Sequence, residues 1–197
     1  KLAENYTGFM RNQNGVKVRA LLPTPKAGEL PFAQEGSSSS AEISNGIQYL
    51  PELQEFGFSE AEVSQKPDKR ECYPFIGGES KGLKRVHEYF FKNNSLSHYK
   101  DTRNGLIGSE FSSKLSPWLA NGSLSVRKVY HDTQDYIAKN GQSPHSTHFI
   151  SELFWRDFNK FWFVRYGNKG FSSYGIYDRT FHSWKTDKKL IQRWKDG

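Results

Sequence analysis

Between Thr147 and Tyr166 the chain contains neither glycine nor proline, yet it carries Phe149, Phe154, Trp155, Phe158, Phe161, Trp162, Phe163 and Tyr166. Nothing in that stretch breaks a helix, and its apolar surface is too large to stand alone in water. It predicts one long helix, buried on most of its circumference, against which the rest of the fold must pack. Shorter helices are expected around it. Ser80 is placed to cap a helix carrying Leu83, Val86, Tyr89, Phe90 and Phe91 through about Leu96. Ser116-Pro117 opens a brief helix that stops at Asn121-Gly122. Ser125 caps a helix with Val126, Val129, Tyr130, Tyr136 and Ile137, ended by Asn140-Gly141. Lys100 to Ser112 reads as a loop, a second loop follows Gly167, and a last helical piece runs from about Lys185 to Trp194. No β alternation follows residue 75, and the expected fold class is mainly α.

The first part of the chain is different. Pro23, Pro25, Pro31, the run Gly36-Ser37-Ser38-Ser39-Ser40 and Pro51 punctuate it, favouring extended chain over packed elements. Two apolar stretches, Ile47-Gln48-Tyr49-Leu50 and Leu53 to Phe58, are suited to docking on a neighbouring domain. The expected division is an irregular connector over 1–74 and a helical region over 75–197.

Charge and aromatic content narrow the function classes. The 197 residues carry a formal charge of +7 with 15 Phe, 10 Tyr and 5 Trp. Lysines and arginines meeting phosphates, with rings meeting bases, describe a nucleic-acid surface; a basic protein with an aromatic core has the same composition. Cys72 is the single cysteine, which excludes an internal disulfide and favours a reducing compartment. The triplets at Asn5, Asn93 and Asn121 match the glycosylation pattern, but nothing else points to secretion. No apolar run approaches the roughly 20 residues needed to cross a bilayer. The chain opens without Met or a signal segment. It is read as intracellular, with the compartment open among cytoplasm, organelle and nucleus.

Two segments carry candidate chemistry. Glu152, Trp155 and Arg156 have spacings of three and four, so a carboxylate, an indole and a guanidinium can share one helical face. A Glu152–Arg156 ion pair worth about 0.2–0.5 kcal/mol, with Trp155 in the core, accounts for the same spacing, and Asp157 offers Arg156 another partner. Tyr99, Ser112, Ser113, Lys114 and Ser116 supply hydroxyls and a cation at a loop-to-helix junction, groups that bind phosphate; ordinary helix capping explains the serines equally well. His145 and His148 are three apart but have no evident third ligand, so no metal site is expected. No Gly-x-Ser-x-Gly elbow is present.

In chain order, Phe75-Ile76-Gly77-Gly78-Glu79, Gly82-Leu83-Lys84-Arg85-Val86, Tyr99-Lys100-Asp101-Thr102-Arg103-Asn104-Gly105, Ser112-Ser113-Lys114-Leu115-Ser116-Pro117-Trp118-Leu119 and Glu152-Leu153-Phe154-Trp155-Arg156-Asp157-Phe158 resemble the photolyase/cryptochrome family. The Tyr-Lys-x-Thr-Arg-Asn-Gly segment, Tyr166-Gly167-Asn168-Lys169, Tyr6-Thr7-Gly8-Phe9 and Leu22-Pro23-Thr24-Pro25 resemble its cryptochrome DASH branch. The resemblance implies a fragment: the interdomain connector and the first half of a helical FAD-binding domain, without the antenna α/β domain or the second half. It implies FAD, with a folate antenna in the parent, and DNA as partner, single-stranded or dimer-containing, bound by a monomer. Tyr99, Ser112, Ser113, Lys114, Leu115 and Ser116 match positions that hold the FAD phosphates and ribityl chain, and Arg156 a residue beside the flavin. Glu152 and Trp155 match positions facing a flipped pyrimidine dimer, and Trp184 the solvent-side member of a tryptophan electron-transfer chain.

The implied activity is light-driven repair of cyclobutane pyrimidine dimers, a deoxyribodipyrimidine photo-lyase in which excited reduced flavin lends one electron to the dimer. A flipped base stacked on Trp155 and a protonated Glu152 donating to a base carbonyl suit that chemistry. The alternatives are a blue-light photoreceptor that binds FAD and nucleic acid without repair, and a basic helical binding module without cofactor. The sequence departs from the family pattern at Gly122-Ser123-Leu124-Ser125-Val126-Arg127, which lacks a proline, at Thr147-His148-Phe149, where a Tyr-Trp pair is usual, and at Asn159.

Overall fold

The computed structural model describes residues 3–26, 52–66, 68, 70–179 and 186–197. Ile47–Leu50 and Trp184 lie outside these. Among the described residues every regular element is helical. The longest is α7, Pro144–Tyr166, with Ser143 as its cap accepting from Ser146 N and Pro144 in the first turn. It is preceded by α6, Val126–Asn140, capped by the Ser125 side chain and stopped at Gly141, whose φ of 84° is left-handed. A three-residue link turns α6 into α7, so the two pack as neighbours.

The other elements lie around the first half of α7. They are α3 (Glu79–His87), a π-helical turn (Glu88–Lys92), a 3-10 turn (Ser95–His98), α4 (Tyr99–Thr102) and α5 (Ser116–Asn121). One apolar cluster joins them: Val86, Tyr89 and Phe90, Leu96 and Tyr99, Leu115 and Trp118, Val129 and Tyr136, with Phe149 and Leu153 from α7. Phe149 meets Phe90 edge-on at 5.3 Å and Tyr99 at 5.0 Å between ring centres. Gly82 lets α5 approach α3, since a Cβ there would lie 3.1 Å from the Trp118 ring.

Several expectations need correcting. The helix expected to run to about Leu96 ends as an α-helix at His87 and passes into a π-helical turn, Glu88–Lys92, in which Tyr89 and Phe90 are both fully buried. Its start is Glu79, turned in by Gly78 at φ 91°; Ser80 lies inside. A short helix, Tyr99–Thr102, takes in the start of the loop expected from Lys100, and α7 begins three residues before Thr147. The last helix, α8, is Lys188–Asp196, capped by Asp187. Only the first half of α7 is buried on most sides; Phe161, Phe163 and Val164 remain exposed.

The stretch expected to be irregular also holds a helix that its sequence hides. In α1, Tyr6–Asn12, Asn5 caps by accepting from Gly8 N at 2.8 Å. Seven residues including a glycine are too few to be helical alone. Packing supplies the rest: Phe9 is buried against Phe158 and Phe161 of α7, and Glu4 meets Arg165 at 2.7 Å. A 3-10 turn at Leu53–Phe56 and the one-turn α2, Glu60–Val63, lie further along, with Leu53, Phe56 and Phe58 exposed.

Candidate functional site

The segment that opens α5 is held from beneath by an arginine. The Arg85 side chain, 1 % exposed, donates from Nε to the Ser113 carbonyl at 3.0 Å and from Nη2 to the Ser109 carbonyl at 2.5 Å. Its Nη1 meets Glu110 Oε1 at 3.2 Å, and Glu110 also accepts from the Ser95 hydroxyl. Tyr73 and Tyr89 cover the guanidinium, 4.5 and 5.0 Å from their ring centres. Burial pushes the Glu110 carboxyl upward, but Ser95 and Arg85 outweigh it and hold it below its ordinary range.

With its carbonyls tied down, the chain takes two left-handed residues without glycine: Ser112 at φ 61° and Lys114 at φ 58°. Such conformations persist where surrounding contacts over-determine them. Leu115 is the buried anchor, Ser112, Ser113 and Lys114 are half-buried, and Ser116 is exposed at the first position of α5. Three hydroxyls and an ammonium thus sit on a rigid, strained support. Sequence reasoning passed over Arg85 itself. It stood within the Gly82–Val86 motif, and its place one turn ahead of Tyr89 is one that a surface arginine would share.

The α7 residues form a second group. Glu152 accepts from Arg103 Nη1 at 2.9 Å, with His148 Nε2 3.3 Å from the same oxygen, and its side chain is a third exposed. Tyr99, on α4, is buried beside it. Burial first, then the Glu152 charge, push the Tyr99 phenol up to about 12, with Arg103 opposing. Trp155 lies under Tyr6 of α1, the rings 3.8 Å apart and 7° from parallel, while Phe158 meets its edge at 5.6 Å. The Tyr6 hydroxyl donates to the Ser151 carbonyl at 3.1 Å.

The structure therefore places Tyr99 and Glu152 side by side and Trp155 one turn further along. It does not make the Glu152–Arg156 pair that the spacing allowed. Arg156 instead donates to the Leu119 carbonyl at 3.3 Å and meets Asp157 at 3.3 Å, tying α7 to the end of α5. Arg103 and Tyr6 were not singled out in sequence, because both partners come from distant segments. His145 accepts weakly from Lys100 N at 3.3 Å, and among the described residues no three potential metal ligands converge. A cavity of about 210 Å³ lies on the far side of Leu153, between α6 and α7, lined by Val18, Ser125, Arg127, Tyr130, Phe154 and Asp157; it holds none of the expected site residues. No helix among the described residues is long and apolar enough to cross a membrane.

Comparison with known proteins gives a consistent picture. No family model matches the chain. A protein from Ostreococcus tauri named cryptochrome DASH, chloroplastic/mitochondrial, is 35 % identical over 205 residues, which cover all of this chain and 36 % of that protein. Cryptochrome DASH from Synechocystis sp. is 43 % identical over 131 residues, 66 % of this chain and 26 % of the relative. The crystal structure of the Synechocystis sp. cryptochrome superposes with a TM-score of 0.64 at 37 % identity, covering 70 % of this chain and 29 % of that one. The chain thus spans about a third of the length of the relatives it matches.

Proposed function

We propose that this chain, which belongs to the photolyase/cryptochrome family in its cryptochrome DASH branch, takes part in light-driven, FAD-dependent repair of cyclobutane pyrimidine dimers, acting on single-stranded DNA. In this reading residues 1–74 are the connector between domains and residues 75–197 the first part of the FAD-binding domain. The observation that carries it is the Arg85-braced segment from Ser112 to Ser116. Half-buried hydroxyls and an ammonium on a strained backbone are a fit for a phosphate.

FAD, when bound, supplies the light-absorbing electron donor. The chain's own residues do the holding. Ser112, Ser113, Lys114 and Ser116 take the phosphate and ribityl side, with Leu115 fixing their register. Tyr99 presents a neutral phenol, its pKa lifted to about 12 chiefly by burial. Arg156, fixed by the Leu119 carbonyl, borders the flavin. Trp155 offers an indole face to an extruded base, and Glu152 a carboxylate to the base edge. Glu152 must first exchange Arg103 for the base, a change that the one-third exposure of both side chains permits. Trp184 is assigned the solvent end of the electron path.

A second reading, a flavin-bearing photoreceptor that binds nucleic acid without repairing it, is favoured by one observation. Glu152 and Trp155 both have protein partners, Arg103 and Tyr6. The test is an absorption spectrum of the protein from the complete reading frame, followed by illumination with UV-irradiated oligo(dT). Flavin bands and light-dependent loss of dimers are expected; flavin bands without dimer loss select the photoreceptor, and a colourless folded protein sinks both. Glu152→Gln is expected to reduce repair far more than flavin content, and Arg156→Ala to lower flavin content.

A further inference from the structure

The stack between Tyr6 and Trp155 joins segments 149 positions apart. At 3.8 Å and 7° it has the geometry of a base on an aromatic platform rather than the edge-on contacts that dominate this core. The Tyr6 hydroxyl reaches the Ser151 carbonyl, one residue before Glu152. Burial pushes the Tyr6 phenol upward, and the charge of Glu152 pushes it further.

Helix α1 has further anchors besides this contact, although Phe158 touches both. Phe9 is buried on Phe158 and Phe161, and Glu4 meets Arg165, so α1 stays docked whichever way Tyr6 turns. Tyr6 itself is only partly buried, and Trp155 remains 39 % exposed under it. One side-chain rotation therefore clears the indole face without unfolding the helix.

We propose that Tyr6 is a built-in stand-in for the ligand base: carried on docked helix α1, its ring covers one face of Trp155 in the unliganded protein as a displaceable cap that sets the threshold for base entry. This rests on the reading of Trp155 as the base platform. A base that takes the Trp155 face covered by Tyr6 must displace that ring, so wild-type affinity is reduced by the cost of removing Tyr6.

The test is the affinity of the complete protein for fluorescein-labelled oligo(dT), UV-irradiated against unirradiated, by fluorescence anisotropy. Tyr6→Ala is expected to tighten binding of the irradiated probe about two- to tenfold, the worth of one aromatic stack. The gain should vanish when Trp155→Ala is added. Tyr6→Phe keeps the stack and loses the bond to Ser151, so a smaller gain is expected. Phe9→Ala loosens the anchor without touching Trp155 and should move affinity in the same direction as Tyr6→Ala. If Tyr6→Ala binds no tighter while Trp155→Ala still loses affinity, the cap is overturned and the platform stands. If Trp155→Ala binds the irradiated probe like wild type, the platform reading falls and takes the cap with it.

Discussion

Two arginine–glutamate pairs in this molecule have the same chemistry and opposite settings. Arg103–Glu152 is the shorter, at 2.9 Å against 3.2 Å for Arg85–Glu110. Distance does not rank them. Arg103 and Glu152 are each about a third exposed, so water screens their attraction and competes for both ends. Arg85 is sealed between two tyrosines and also carries the carbonyls of Ser109 and Ser113, so removing it strands several groups at once. One pair is a brace and the other is exchangeable. The brace lies under the residues assigned to the cofactor; the exchangeable pair lies where a base is assigned to enter.

The largest effect should come from removing the brace. Arg85→Ala is expected to cost about 3 kcal/mol, since it leaves a partly buried carboxylate and two carbonyls without their donor. Urea unfolding monitored by circular dichroism measures it. A cost no larger than that of Arg103→Ala would break the comparison. Next is Gly82→Ala. Its Cβ would press within 3.1 Å of the Trp118 ring, which is buried and bonded through Nε1 to the Ile76 carbonyl at 3.0 Å. With little room to yield, a loss of about 1–2 kcal/mol is expected in the same measurement. A neutral outcome would mean that α5 shifts freely, and the braced side would be looser than its contacts imply.

How far these regions were legible in sequence follows from where their partners lie. The α6–α7 pair was readable, because Ser125, Asn140-Gly141 and the aromatic run to Tyr166 are local signals. The motif order that resembles the family was readable too, and the relatives and the superposed structure agree with it. Helix α1 was not, because its stability comes from Phe9 meeting a helix almost 150 positions away rather than from its own propensity. The partners of Glu152, Trp155 and Arg156 were not readable either. Spacing proposed a Glu152–Arg156 pair, and tertiary packing supplied Arg103, Tyr6 and Leu119 instead. The breadth of burial on α7 was overestimated, since aromatic density alone does not say which half faces the core.

A pH titration sharpens the comparison further. The Glu110 carboxyl has a folded-state pKa below its unfolded one, so its contribution is present above the ordinary carboxylate range and is lost as pH falls through the folded value. Stability of the wild type should therefore decline on acidification, and the decline should be shallower in Glu110→Gln. The side chain is 38 % exposed, which keeps the difference modest. Parallel acid limbs for the two proteins would show that the brace does not depend on the charge of Glu110.

The smallest effect should belong to the exchangeable pair. In a double-mutant cycle on Arg103→Ala and Glu152→Gln, the coupling is expected at about 0.2–1 kcal/mol and to shrink with added salt. The corresponding cycle on Arg85→Ala and Glu110→Gln should give the larger and less salt-sensitive value. The weakness of the first coupling matters for function: a carboxylate held by so small a margin can be transferred to an incoming base at little cost. A coupling at Arg103–Glu152 equal to that at Arg85–Glu110 would make Glu152 a structural acid, and the α7 face would then need another group to meet the base edge.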